Sequence, residues 1–495
     1  MTRRRVAAWC FLFASLLVIG RAQFTSAEYA DTLGLTVESR NTGNAFTASP
    51  AGMAAFHSNP AGLLLSKGRT VSLDLNFLSL NPLFYQDAEG KHHERGDMLV
   101  MPTFGFIVVN SEQTLAYGVG VGVPFGLIFR FPNNDGFQRF AGSEAALLTS
   151  AITPSIAAKV TPWLSVGAGV NIIAADHFST RVTVGNGVVG DFATRLGIPV
   201  STRQQGGRQD GYAVAKTRGS FDVPMPPDKA DWNFETVSYN LGVIVKPRDD
   251  LKIGLTYREQ ATVKYRGTIN FFFDPEDNLN GAVTSAERPM TVKFAIPRQV
   301  EAGAEYALSP TLEFGLGLLW TNWSDAEGWG KSTTLNVGGG GVVDVPAFNL
   351  QGLIRQLTIP HNFCDTWSPR IGLRYRVSED TQLMAGYWYD PSPVRDRFYD
   401  TFVTSSNRHY LSFGVSQNFL KGSLTVGIGT QLVFLERRTI GPGESVNAGG
   451  LGGLNYSGIE TRILGFTPNT SSNNSGAIEL GGFAWTLGFN VAYRF

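Results

Sequence analysis

The stretch FAWTLGFNVAYRF, residues 483–495, closes the chain. Its odd positions are all large and apolar: Phe483, Trp485, Leu487, Phe489, Val491, Tyr493 and Phe495. Its even positions are small or polar: Ala484, Thr486, Gly488, Asn490, Ala492 and Arg494. Successive side chains of a strand point to opposite faces, so this segment presents one wholly apolar face and one with almost no apolar bulk. The same period runs through Val71 to Phe77, Leu164 to Ile172, Leu312 to Trp320 and Ile371 to Val377. A sandwich buries such faces between two sheets, whereas a closed barrel turns them towards lipid.

The other end of the chain separates these two. Arg3, Arg4 and Arg5 precede an apolar run from Val6 to Gly20, with small-residue cleavage positions after Ala22 or Ala27, the pattern of a secretory signal peptide. Its removal takes away Cys10 and leaves Cys364 alone, so no internal disulfide forms. The formal net charge is zero, 17% of residues are charged, and the chain holds 57 Gly and 34 Phe, a composition that favours many strands and turns. After the signal peptide no apolar run reaches the roughly 18 residues of a membrane helix. Only a closed barrel then crosses a membrane with every backbone group bonded. The ending Tyr493-Arg494-Phe495 resembles the carboxyl-terminal assembly signal of bacterial outer-membrane barrels, which implies that assembly machinery as a partner.

Strand number follows from the turns. Short turns fall at Asn110 to Gln113, Thr161-Pro162, Lys246 to Asp250, Ser309-Pro310, Ser378 to Asp380 and Leu420 to Ser423, each between alternating segments. Six hairpins, a first strand near Thr70 to Leu80 and the last strand predict a 14-stranded antiparallel transmembrane β-barrel, an all-β fold with an even strand number. Gly185 to Asn233, Ser324 to Trp367 and Thr439 to Leu480 are long connections on the opposite rim. Short periplasmic turns and long extracellular loops are the usual asymmetry of outer-membrane barrels.

One stretch fits no strand. Residues 41–62, NTGNAFTASPAGMAAFHSNPAG, carry two Pro-Ala-Gly triplets among small residues, with Phe46, Met53 and Phe56 as the bulky exceptions. Proline donates no ladder bond and glycine packs little, so this cannot be a central strand. A barrel of this circumference is too wide for its wall side chains to fill. A compact leader folded back into the lumen supplies a plug. The expected organisation is a signal peptide over 1–27, a hatch over 28–69 without strands, and a barrel over 70–495.

Four segments together resemble one family: ESRNTGNAF to HSNPAGL from Glu38, ITPSIAAKVTPWLSVGAGVNI, LMAGYWYDPSP from Leu383, and the ending NVAYRF. They are similar to the FadL-type outer-membrane transporters of long-chain fatty acids, whose relatives include toluene importers. The likeness spans nearly the whole mature chain. It implies a hatch built around Asn59, Pro60, Ala61 and Gly62, capture of a hydrophobic ligand at the outer loops, and lateral release through the wall into outer-membrane lipid.

The third strand, Tyr117 to Phe131, carries a candidate exit. Pro124 removes a ladder donor, Gly126 permits a bulge, and Phe125 lies between them; by the family resemblance Gly126 falls at the kink of the lateral opening. The apolar continuation Leu127, Ile128, Phe129 and Phe131, with Phe137 and Phe140, is the candidate capture groove. Where the family resemblance implies hydroxyl and basic groups in fatty-acid members, Val121 to Gly126 and Ile173 to His177 are apolar apart from Asp176 and His177, a departure that favours a neutral or weakly polar ligand. Arg130, Arg181, Arg374 and Arg376 are candidates for binding a ligand carboxylate, and the alternative reading makes them lumen partners of wall carboxylates such as Glu301, Glu305 and Glu313. No GxSxG motif occurs, so no enzyme is expected, and neither are a metal, a cofactor or nucleic acid. A monomer is expected, and the alternative is a passive porin or a structural barrel.

Overall fold

The computed structural model describes residues 27–31, 36–50, 52–79, 83–86, 92–95, 98–130, 144–185, 210–218, 237–273, 283–284, 288–338, 342–345, 350–353, 356–399, 405–445 and 477–495. Fourteen strands form the wall. They are β1 (Arg69–Ser79), β2 (Met98–Val109), β3 (Leu115–Arg130), β4 (Glu144–Thr161), β5 (Leu164–Gly185), β6 (Val237–Arg248) and β7 (Leu251–Arg258). The second half continues with β8 (Arg298–Ser309), β9 (Leu312–Asn322), β10 (Thr366–Arg376), β11 (Thr381–Asp390), β12 (Arg408–Phe419), β13 (Leu424–Ile440) and β14 (Ile478–Arg494). Each pairs antiparallel with the next, and β14 returns to β1 from Thr70↔Arg494 to Ser79↔Trp485, which closes the cylinder.

The six short turns stand where the sequence predicts them. Asn110 makes one by accepting the amide hydrogens of Thr114 at 2.8 Å and Leu115 at 3.0 Å on its side-chain oxygen. In another, Leu420, Lys421 and Gly422 all take positive φ. Alternation sets the two faces. Leu241, Leu255, Leu316, Ile371, Phe413 and Phe489 are exposed on the outer face, while Ser72, Asp74, Asn240, Glu301, Arg370 and Gln431 are buried on the inner one. The hydrophobic belt is therefore outside, the reverse of a soluble core.

Past β7 and before β8 the chain runs through Ala261–Phe273 and Arg288–Ile296, which pair with each other. Asp210–Arg218 and Ser332–Val337 flank them, and Gln356–Pro360 pairs with the latter. Two connections read as loops thus contain strands. Apolar side chains of this added sheet meet inner-wall residues Phe125, Leu147 and Ile173 in one buried core. Trp329 is fully buried there, stacked on Phe363 at 5.7 Å between ring centroids and donating to the Ala295 carbonyl at 2.9 Å. His361 sits beside it, held to the Thr333 hydroxyl at 2.8 Å, and burial pushes its imidazole down to about 3, which keeps it neutral.

The leader departs from expectation at one place. Ala27–Asp31 forms a strand, although the segment ahead of the wall is read from sequence as strand-free. Five residues are too few for alternation to be told from chance.

If the outer belt meets lipid, Leu255→Arg lowers stability by about 2–4 kcal/mol, the usual effect of an arginine at the bilayer midplane. Urea titration of the protein in lipid vesicles measures it. An unchanged midpoint means that this face lies outside the bilayer.

Candidate functional site

Residues 36–66 form α1 (Val37–Asn41), α2 (Ala54–His57) and a 3₁₀ helix over Pro60–Leu65. Thr36 caps the first by accepting from the Ser39 amide at 3.2 Å, and Asn59 caps the last by accepting from Ala61 at 3.1 Å. Pro60 stands at the start of the 3₁₀ helix, where its missing donor costs nothing.

This segment touches all fourteen strands, mostly near their short-turn ends, and inward-facing glycines let it approach. A Cβ at Gly120 of β3 would lie 2.8 Å from the Phe56 ring, and one at Gly254 of β7 would lie 2.7 Å from the Ala48 nitrogen. Met53 covers Gly105, Pro60 and Ala61 cover Gly167, Asn59 covers Gly242, Phe46 covers Gly315, and Asn41 covers Gly414 and Gly429. Gly372, Gly386 and Gly488 meet Thr42, Gly43 and Arg40 in the same way. On β4, Ala157 packs with Phe56 and Leu63. Gly62 packs on Pro50 within the segment itself.

Wall side chains then bond its backbone. Asp74 of β1 accepts from the Val37 amide at 2.8 Å. Glu305 of β8 accepts from the Ala48 and Ser49 amides at 2.8 and 2.7 Å, and from the Ser49 hydroxyl. Thr47 donates to Glu301 at 2.6 Å, and Glu301 in turn lies 3.1 Å from Arg370, which donates to the Asn44 carbonyl. Arg374 donates to the Ser49 carbonyl at 3.0 Å and lies over the Phe46 ring at 3.9 Å. Asn240 and Arg258 donate to the Phe56 and His57 carbonyls at 2.7 and 2.6 Å. Charge-assisted bonds of this kind are the strong ones, and removing either partner leaves a buried charge or donor unsatisfied.

The expected arginine–carboxylate pairing holds for Arg374, 4.0 Å from Glu313, but Arg376 is an exposed rim residue near the Pro310 carbonyl and not a lumen group. It is the last residue of β10, where the wall ends. The side chains of Arg130, Arg181, Asp176 and His177 lie outside the described residues. Arg258, Arg370, Asp74 and Asn240 were not singled out from sequence. Their signal was there in the alternation, as polar residues on the small face of otherwise apolar strands.

At the third strand the ladder breaks. Gly122 pairs with Ala151 and Phe125 with Thr149, so β3 holds one residue more than β4 in between, and that bulge contains Pro124. Thr149 fixes it by donating to the Phe125 carbonyl at 2.6 Å. Phe125 is buried, its ring 6.4 and 6.3 Å from those of Trp323 and Trp329. On the other side, pairing of β3 with β2 ends at Phe104↔Val121. Met98 to Thr103 of β2 continue beside β1 alone among the described strands. The β3 edge is met instead by the leader strand, with Ala27↔Ile128, Ala30↔Gly126 and Asp31↔Phe125. Leu127, Ile128 and Phe129 lie on this part of β3, but their side chains, and all of Phe131, Phe137 and Phe140, lie outside the described residues.

Inside the bulge is a cavity of about 40 Å³ between segment 36–66 and the wall. Met53, Phe56, Pro124, Ala151, Ile173 and Ile296 give it an apolar side, and His57, Arg258, Asn171 and Ser238 a polar one. Thr153 donates to Asn171 at 3.1 Å and Asn171 to Ser238 at 3.2 Å, so these three form a hydrogen-bonded chain on the polar side. At the chain end, Tyr493 and Phe495 stack at 6.1 Å on the exposed outer face, and the Phe495 amide bonds the Arg69 carbonyl at 3.0 Å.

A closed fourteen-stranded wall, turned inside out in its hydrophobicity and interrupted at one strand, defines an outer-membrane transport barrel. The sequence profile of the outer membrane protein transport protein (OMPP1/FadL/TodX) family matches residues 23–493, and the chain belongs to that family. It is 21% identical over 335 residues to the long-chain fatty acid transport protein of Escherichia coli (strain K12), an alignment that covers 66% of this chain and 69% of that one. A Pseudomonas aeruginosa FadL homologue of known structure superposes with a TM-score of 0.64 at 16% identity, covering 95% of this chain and 100% of its own. The Pseudomonas putida toluene transporter TodX gives 0.62 at 15% identity, with 93% and 99% covered.

Replacing Glu305 by alanine removes the acceptor of two amides and one hydroxyl. Hydrogen exchange at Ala48 and Ser49 is expected to accelerate about 10- to 100-fold, the equivalent of roughly 1.5–3 kcal/mol for a bond to a charged group. Unchanged exchange there would show that the carboxylate does not hold the segment.

Proposed function

We propose that the chain carries hydrophobic small molecules, long-chain fatty acids or hydrocarbons, across the outer membrane. Cargo is captured at the extracellular loops along the Leu127 to Phe140 groove, passes the cavity under the β3 bulge, and leaves sideways between β2 and β3. Residues 36–66 act as the hatch, and Tyr493 with Phe495 as the assembly signal. One observation carries the proposal: the segment in the lumen is packed around the whole circumference, while the wall ladder fails beside the cavity at Pro124.

Energetics favour that direction. An apolar molecule gains about 0.8 kcal/mol per CH₂ on leaving water, so a wet pore gives it no assistance, and exit into lipid keeps the gain. Leaving through the periplasmic end instead means breaking the Asp74, Glu301, Glu305, Arg370 and Arg374 bonds together. The relatives named for long-chain fatty acid and toluene transport support the substrate class. The polar strip ending at Arg258 and His57 suits a cargo with one polar end, while the apolar side suits a hydrocarbon.

Two variants test this. Deletion of residues 36–66 is expected to raise single-channel conductance in planar bilayers from near zero to that of an open pore; a hatchless porin keeps the same conductance with or without them. Gly126→Trp, just past the bulge, is expected to reduce uptake of radiolabelled oleate and toluene at least tenfold while heat-modifiable barrel assembly stays at the wild-type level. Full uptake with a tryptophan there removes the wall exit.

A further inference from the structure

We propose that an apolar groove on the outer face of the wall, on the short-turn side of the opening in β3, receives the released cargo and leads it to the periplasmic leaflet. The inference rests on lateral release as proposed above and states where the molecule goes next. The groove crosses β2 to β6 and measures about 660 Å³, within the roughly 300–1,000 Å³ of small-molecule sites. The cavity inside the bulge measures about 40 Å³, whereas an apolar cavity that takes benzene is on the order of 150 Å³. Of the two, only the outer groove has room for cargo.

Strand register makes the groove. Tyr117, Ile156, Ala168 and Leu241 stand in one cross-strand row, and Phe106, Val119 and Pro154 in the next row away from the short turns. Side chains of adjacent rows on one face are neighbours. The two small ones, Pro154 and Ala168, therefore leave a hollow among the exposed Tyr117, Ile156, Val170 and Tyr239. One wall of it is fixed in place. The Tyr239 ring lies 6.0 Å from that of Tyr257, and both hydroxyls donate to Glu259, which an ion pair at 2.8 Å holds to Arg298. Lipid tails are as apolar as the groove, so what favours occupancy is packing against rings already held rigid, and not escape from water.

Continuity with the exit names the occupant. Pairing of β2 with β3 ends at Phe104↔Val121, and the next outward-facing pair, Phe106↔Val119, already lines the groove. A molecule that parts these strands and turns towards the short turns meets the groove first. Tyr117 lies four residues nearer the turn than Val121. At about 3.3 Å per residue and a tilt of roughly 40°, that is a descent of about 10 Å within an apolar band some 25 Å tall. The groove thus leads away from the outer leaflet and towards the periplasmic one.

Single cysteines test the groove, in a Cys364→Ser background so that no other thiol remains in the mature chain. Ala168→Cys lies in the groove and Leu316→Cys four strands away on the same outer face, each the fifth residue of its strand after a short turn. Hexadecyl methanethiosulfonate, a thiol-reactive hydrocarbon, is supplied outside intact cells, and modification is followed by protein mass spectrometry. Ala168→Cys is expected to react at least tenfold faster than Leu316→Cys, and adding Gly126→Trp is expected to abolish the difference. Val170→Cys reports the same groove from its exposed wall, and heat-modifiable mobility shows that each variant has assembled. Equal rates at the two positions, with Gly126→Trp still blocking oleate uptake, overturn the groove and leave the wall exit standing. A difference that survives a blocking Gly126→Trp shows chains entering from the bilayer, which also overturns it. Full oleate uptake by Gly126→Trp overturns the exit, and the groove's role with it.

Discussion

A fourteen-stranded wall encloses more space than its own side chains can fill, and most of what is unusual in this protein answers that constraint. The inner face is reduced to glycine, serine and polar residues at the level where backbone must approach backbone, as at Gly254 against Ala48 and Gly120 against Phe56. Filling the lumen with peptide brings a second demand, because each amide and carbonyl taken from water needs a partner. The wall provides these from side chains, and so the interior is a place of buried charge where a soluble protein has hydrocarbon. Glu305 and Arg374 meeting at Ser49, one on its amide and the other on its carbonyl, show the solution at its most compact.

The same economy explains where the barrel is weak. Ladder bonds carry much of the cohesion between lipid-facing strands, and the extra residue at Pro124 interrupts the β3–β4 ladder only locally, since pairing resumes at Phe125 with Thr149. Phe125 turns inward at that point and joins the aromatic core above the lumen, which ties the bulge to Trp323 and Trp329. The bulge and the capping core are thereby connected through one ring.

Much of this was legible in sequence because period-two alternation survives on a wall with one lipid face. Phe483 to Phe495 declared the last strand, and the six short turns fixed the strand number. Pro124 marked the bulge, since it breaks a ladder for a local reason, whereas Gly126 lies just past it and pairs with Leu148. What stayed hidden was decided at a distance. That Arg370 and Glu301 form a buried pair, or that Asn240 reaches the Phe56 carbonyl, depends on strands far apart in sequence meeting the same few residues of the leader. The strands at Asp210–Arg218 and Ser332–Val337 were hidden because each is held from both sides, the first by the end of β5 and by Ala261–Phe273, the second by Arg288–Ile296 and by Gln356–Pro360. The Ala27–Asp31 strand exists only because β3 offers it an edge.

The central claim is that cargo crosses the wall and never the lumen floor. A diazirine-bearing fatty acid, photolysed during uptake in intact cells and mapped by peptide mass spectrometry, tests it most directly. The account predicts label on Met98 to Thr103 of β2, on Gly122 to Gly126 of β3 and on Met53 to His57 beside the cavity. Label concentrated on Leu63 to Lys67 and the short-turn rim, with none on β2 or β3, would contradict it.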